Sequence, residues 1–212
     1  MLRTIAAGGA TTLLTTWAVG KLLQHDRVIE PSRRLYDYCV KHRSATLARR
    51  LEPVTTIGGY SVIGSFSLLV GGMIAYQRRS WAPLQLLVGG AAAEVALQKA
   101  LKRLVKGTKP AQETSIGPPG DYPSGGAART VITFGMLAHL LTREWDSPAE
   151  RLAVWSILAG LVAGQGGSRL YLGRHWPEDV LAGWLFGALI LGTLVRVEGQ
   201  LAPGGGAGRP GR

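Results

Sequence analysis

The chain has 212 residues, the size of one ordinary domain, and is 46% hydrophobic with 17% charged residues, a composition that excludes disorder over most of its length. It carries 24 Lys+Arg against 13 Asp+Glu, a net charge of +11. These cations fall between long apolar runs, so they point to a bilayer and an anionic substrate rather than to nucleic acid. One cysteine, Cys39, excludes a disulfide framework and a thiolate zinc cluster.

Six apolar stretches follow one another: residues 4–20, 53–76, 80–98, 125–142, 152–168 and 180–195. A membrane helix takes roughly 17–25 residues at 1.5 Å rise each. The second stretch has 24 uncharged residues; the third holds one charge, Glu94, and the fourth one, Arg129. The expected fold is all-α, a polytopic membrane bundle of six transmembrane helices. A soluble all-α protein with very apolar helices is the competing reading. Arg3 ahead of the first stretch also suits a signal peptide, but no small-x-small site precedes Lys21, so an uncleaved helix is expected.

Between the first two stretches, residues 25–52 mix Arg33, Arg34, Lys41, Arg43, Arg49 and Arg50 with Leu35, Tyr36, Tyr38, Val40, Leu47 and Leu51. That pattern predicts an amphipathic segment lying on phospholipid headgroups; a solvated loop is the alternative. Residues 1–200 read as a single domain, with 1–52 the first helix plus the interfacial segment and 53–197 the core. The Gly/Pro-rich tail, 201–212, reads as disordered.

Six spans place the polar segments 21–52, 99–124 and 169–179 on one side of the membrane. The first chemical segment runs from Lys102 to Lys109 and Pro110, with Gly107 as the expected helix end. Glu94, Gln98 and Lys102 share one helical face, and a carboxylate within a span needs a cationic partner inside the bundle. The second is Pro123-Ser124-Gly125-Gly126, a helix start where Ser124 can cap and exposed N–H groups form an anion site. The third is Ser168-Arg169-x5-His175-x3-Asp179. His175 lies shortly before Pro177, a favoured first helical residue. Asp179 in the first turn can hold one ring nitrogen of His175 and leave the other as a nucleophile. Arg169 offers a planar fork for phosphate oxygens.

These segments resemble the signature of the type 2 phosphatidic acid phosphatases, a superfamily that includes lipid phosphate phosphatases and the soluble vanadium haloperoxidases. Its pattern is K-x6-R-P, P-S-G-H, S-R-x5-H-x3-D. Ser168, Arg169, His175 and Asp179 match the third motif. Lys102 and Pro110 match the first, with Lys109 where the family has Arg. Pro123, Ser124 and Gly125 match the second. The resemblance implies a metal-independent lipid phosphate or (poly)prenyl diphosphate phosphatase with no cofactor. His175 would attack phosphorus, Asp179 would orient it, and Lys102, Lys109, Arg169 and the N–H groups of Ser124, Gly125 and Gly126 would hold the phosphate.

The chain departs from the family at Gly126, where the second motif ends in His, the group that protonates the leaving oxygen. Such an acid contributes typically about 10²–10⁴ in rate. His139 is 13 residues away along the helix, about 20 Å, and Asp121 and Tyr122 are merely adjacent. Two functions stay open: a phosphatase with altered acid catalysis, or a catalytically silent relative that binds lipid phosphates. The family's bacterial members act on the outer face, which predicts a multi-pass cell-membrane protein with an extracytoplasmic site. Positive-inside counting opposes this, since only eight of the 24 cations fall on the termini side.

Overall fold

The computed structural model describes residues 1–23, 26–105 and 122–201, with the side chains of 26–28 left aside. Eight helices make up this part: α1 (Leu2–Leu23), α2 (Asp26–Lys41), α3 (Ala45–Thr56), α4 (Tyr60–Arg78), α5 (Ala82–Leu104), α6 (Gly125–Thr142), α7 (Pro148–Tyr171) and α8 (Pro177–Leu201). Local chemistry marks several ends. Ser44 and Ser147 cap α3 and α7 by accepting the N–H groups of Leu47 and Glu150. Pro148 supplies the first residue of α7. Arg79 closes α4 in the left-handed region at φ 50°.

The fourth apolar stretch becomes the central helix α6, most of whose residues are buried. Small residues let its neighbours approach closely. Cβ atoms at Gly183 and Gly187 of α8 would meet the backbone of Ser124 and Ala128, so α6 and α8 run parallel, their N-termini together. Glu94 of α5 meets Arg129, and Gln165 of α7 lies beside Gly126, so both of those helices run antiparallel to α6. Helix α1 lies antiparallel along α8, with Thr4 and Gln200 bonded at 2.9 Å.

Two expectations change at the second stretch. Its first residues, Pro53 included, belong to α3, and the chain breaks at 57–59 before α4 begins. The cause is tertiary. The Gly58 carbonyl accepts Arg129 Nε at 2.9 Å, and a Cβ at Gly58 would lie 2.6 Å from the Gly126 carbonyl oxygen. Only a glycine outside a helix allows that approach. From residue 26 on, the polar segment forms not one element but two, α2 and α3, with Tyr36 and Ser32 buried and Leu35 and Tyr38 exposed.

By length and composition, α4 and α8 are the helices among the described residues that could cross a membrane unaided. Leu201, the first residue of the expected tail, ends α8. The rest of that tail, together with Gly107, lies outside the described residues.

A buried ion pair pins α5 to α6. Glu94 is fully buried and its Oε2 lies 3.0 Å from Arg129 Nη1. The same guanidinium stacks 3.8 Å over the Tyr60 ring. Breaking such a pair costs about 3–5 kcal/mol. A lone carboxyl can take up a proton, whereas a guanidinium cannot lose one. Glu94→Ala should therefore lower the melting temperature in detergent more than Arg129→Met does. The paired Glu94→Leu/Arg129→Met change should cost less than the sum of the singles.

Candidate active site

Helix α7 ends in a turn that reverses the chain into α8. Gly173 takes φ 71°, a left-handed position that glycine fills without Cβ strain. The N–H groups of Leu172, Gly173 and Arg174 close on the carbonyls of Ser168, Leu170 and Arg169, each at 2.9 Å. This turn brings the two ends of the third motif together. Arg169 Nη2 lies 3.1 Å from His175 Nε2, and His175 Nδ1 lies 3.3 Å from Asp179 Oδ2. Since the carboxylate accepts, Nδ1 carries the proton and Nε2 presents its lone pair toward Arg169. His175 and Asp179 are each 2% exposed.

Asp179 has a second task. Its Oδ2 accepts the Trp176 N–H at 3.0 Å, a third helical residue reaching back to the residue before the helix, half of a capping box. Its carbonyl accepts the Ser124 N–H at 2.9 Å. That backbone bond locks the start of α6 to the start of α8, so two helix N-termini converge beside His175 and their dipoles favour an anion there.

Among the predicted residues, Arg169, His175, Asp179, Ser124, Gly125 and Gly126 are thus gathered at one end of the bundle. Ser124 occupies the cap position of α6 without a side-chain cap bond, and its buried hydroxyl has no partner among the described residues. Ser168 instead donates to the Gln165 carbonyl at 2.6 Å within its own helix. Lys102 is at the same end, in the last turn of α5, with an exposed side chain. Gln98, one turn earlier, donates to the Pro123 carbonyl at 3.1 Å and holds the second motif in place. Lys109 and Asp121 lie outside the described residues.

Tyr122 is not a spare acid. Its hydroxyl donates to the Thr16 carbonyl of α1 at 2.8 Å, and burial, with the charge of Asp179, pushes the phenol's pKa well up. His139 sits instead with Glu198 near the far end of α6.

Three features escape the sequence motifs. Gln165 is fully buried one turn before Arg169; its only sign in the sequence is an amide in an apolar run, four residues from an arginine. Arg174 is half-buried beside Arg169, and burial lowers its pKa. Third, α2 and the start of α3 cover the turn between α7 and α8. Tyr36 donates to the Gly173 carbonyl at 3.2 Å and Arg43 to that of Leu172 at 3.1 Å. Ser32 bonds the Glu178 carboxylate, and Arg33 lies 3.3 Å from the Trp176 ring centroid. Nothing in the amphipathic pattern of 25–52 foretold that pairing.

The sequence pattern of the PAP2 superfamily matches residues 83–201. The chain belongs to that superfamily. Phosphatidylglycerophosphatase B of Bacillus subtilis is 28% identical over 155 residues, covering 70% of this chain and 73% of that protein. An undecaprenyl-diphosphatase of Sulfolobus acidocaldarius is 42% identical over 77 residues, covering 36% of this chain and 33% of that one. The fold matches the crystal structure of a transmembrane PAP2-type phosphatidylglycerolphosphate phosphatase from Bacillus subtilis with a TM-score of 0.81 at 19% identity. That match covers 92% of this chain and 98% of the other.

At Gly126 of this PAP2 member, side chains from α7 occupy the space beside the start of α6. A Cβ on Gly126 would lie 2.5 Å from Arg169 Nη1, 2.8 Å from its Cζ and 3.1 Å from Gln165 Nε2.

The double bonding of Asp179 sets a stability test. Asp179→Ala removes the acceptor for Trp176 N–H and His175 and should cost about 1–3 kcal/mol. Asp179→Asn keeps an acceptor oxygen and should cost less. Thermal unfolding of the two purified variants gives the order.

Proposed function

We propose that this chain is an integral membrane phosphatase that removes the terminal phosphate of a lipid phosphate or diphosphate through a phosphohistidine at His175. The observation that carries this is the buried His175, held at Nδ1 by Asp179 and facing the Arg169 guanidinium with Nε2. A silent lipid-binding relative has no need of a nitrogen oriented in this way. The relatives' names, a phosphatidylglycerophosphatase and an undecaprenyl-diphosphatase, support a lipid-borne phosphate as the substrate class.

The chemistry follows from the groups at hand. An incoming phosphate, carrying more charge than a neutral ring nitrogen, draws the Arg169 donors to itself and frees Nε2. The nitrogen attacks phosphorus in line, and Asp179 stabilises the imidazolium that forms. Arg169, Arg174 and the N–H groups at the start of α6 stabilise charge on the equatorial oxygens. Lys102 and Lys109 add to the positive potential that draws the headgroup in. Helices α1, α4, α5, α6, α7 and α8 cross the bilayer. Helices α2 and α3 lie at the interface on the site's side, which faces away from the cytoplasm.

Gly126 shapes substrate choice. Expelling an alcohol from a lipid monophosphate creates an alkoxide, whose conjugate acid is about as weak as water. Expelling a lipid phosphate from a diphosphate releases a group with a second pKa of about 6. The second reaction gains little from a general acid, so diphosphates should be the better substrates.

Phosphate release from matched lipid mono- and diphosphates by the purified protein tests both points. Activity should be abolished by His175→Ala with unchanged helix content, and kcat/KM should favour the diphosphate. Wild-type turnover in a folded His175→Ala protein would exclude the mechanism. Gly126→His should not restore monophosphate turnover, because the ring enters the volume of Arg169 and displaces the phosphate ligand; a selective gain would refute that packing account.

A further inference from the structure

Gln165 is a fully buried polar group beside the site that the mechanism above leaves unused. It lies four residues before Arg169, on the same face of α7. Its Nε2 donates to the Thr55 carbonyl at 3.4 Å. A carbonyl can only accept, so this contact fixes which end of the amide is nitrogen and which is oxygen. The opposite end, Oε1, is buried with no hydrogen-bond partner among the described residues. One turn away, the Arg169 Nε–H is likewise buried without a partner. An acceptor and a donor thus stand on one helix face. Both of their side chains fill the volume that a Cβ at Gly126 would enter.

We propose that Gln165 is a catalytic residue that holds the water which hydrolyses the phosphohistidine. This rests on the phosphohistidine mechanism above. An amide oxygen repels the anionic oxygens of a phosphoryl group and attracts an O–H, so Oε1 selects water over substrate oxygen. The water donates one hydrogen to Oε1 and directs its lone pair at phosphorus. A glutamine orienting an attacking water is the device that GTPases use. As the O–P bond forms, the N–P bond breaks and its electron pair returns to His175 Nε2. Both water protons leave with the product as dihydrogen phosphate, one transferred to a phosphoryl oxygen. Gln165 itself exchanges no proton, so no general base is required.

The test separates formation of the phosphoenzyme from its hydrolysis, by rapid quench of the full-length protein in detergent with a radiolabelled lipid diphosphate. Gln165→Met removes the acceptor and keeps the bulk, with Gln165→Leu beside it should one fail to fold. Gln165→Glu keeps an acceptor oxygen. In the apolar variants hydrolysis should slow by about 10²–10³-fold, the scale of losing one hydrogen-bonding group that acts on the transition state. Formation should stay within about threefold, so the phosphoenzyme accumulates. The Glu variant should recover most of the hydrolysis rate. Wild-type hydrolysis in a folded Met or Leu variant overturns the proposal, as does an equal slowing of both steps in all variants, the mark of a packing role. A wild-type protein that forms no phosphoenzyme and releases no phosphate overturns the phosphatase assignment itself, and this inference with it.

Discussion

The buried guanidinium of Arg129 is the constraint on which the site's frame depends. It is 5% exposed, cannot discharge, and must find acceptors inside the bundle. It takes three: the Glu94 carboxylate on α5, the Gly58 carbonyl, and the face of Tyr60 at the start of α4. Satisfying one charge therefore fixes α5 against α6 and holds the 57–59 break against both. A continuous helix through 57–59 would spend the Gly58 carbonyl within its own ladder. The helix break and the ion pair are two consequences of one desolvated charge.

From that frame the catalytic end is built by backbone bonds more than by side chains. The Ser124 N–H on the Asp179 carbonyl couples α6 to α8, and the Gly173 turn returns α7 into α8 at the right spacing. His175, Arg169 and the start of α6 then meet without any of the three having to be long or flexible. Backbone bonds of this kind hold the N–H groups at the start of α6 in place before any anion arrives. The covering helix α2 adds a bond from Tyr36 to the same turn and one from Ser32 to Glu178 at the start of α8, so it shares its footing with His175.

Gly126 takes a different meaning in this setting. From the motif alone it is a lost acid. In three dimensions it is the space into which Arg169 and Gln165 of α7 project, so the change is a substitution of one arrangement for another. The small residue on α6 and the amide on α7 belong together physically, though 39 residues separate them in the chain.

The sequence by itself determined the helical class, the place of five of the long helices with ends off by up to six residues, and the His175–Asp179 pair, because uncharged runs, Pro177 and the i, i+4 spacing are local signals. It also determined that Glu94 needed a cation. That Arg129 supplies it, that the second apolar run breaks at Gly58, that 26–52 folds as two helices over the turn between α7 and α8, and that Arg169 and Gln165 occupy the space beside Gly126 were decided only by tertiary structure. Each is a contact between residues distant in the chain, set by which buried donor reaches which acceptor. Neither residue type nor periodicity encodes that choice until the helices are packed.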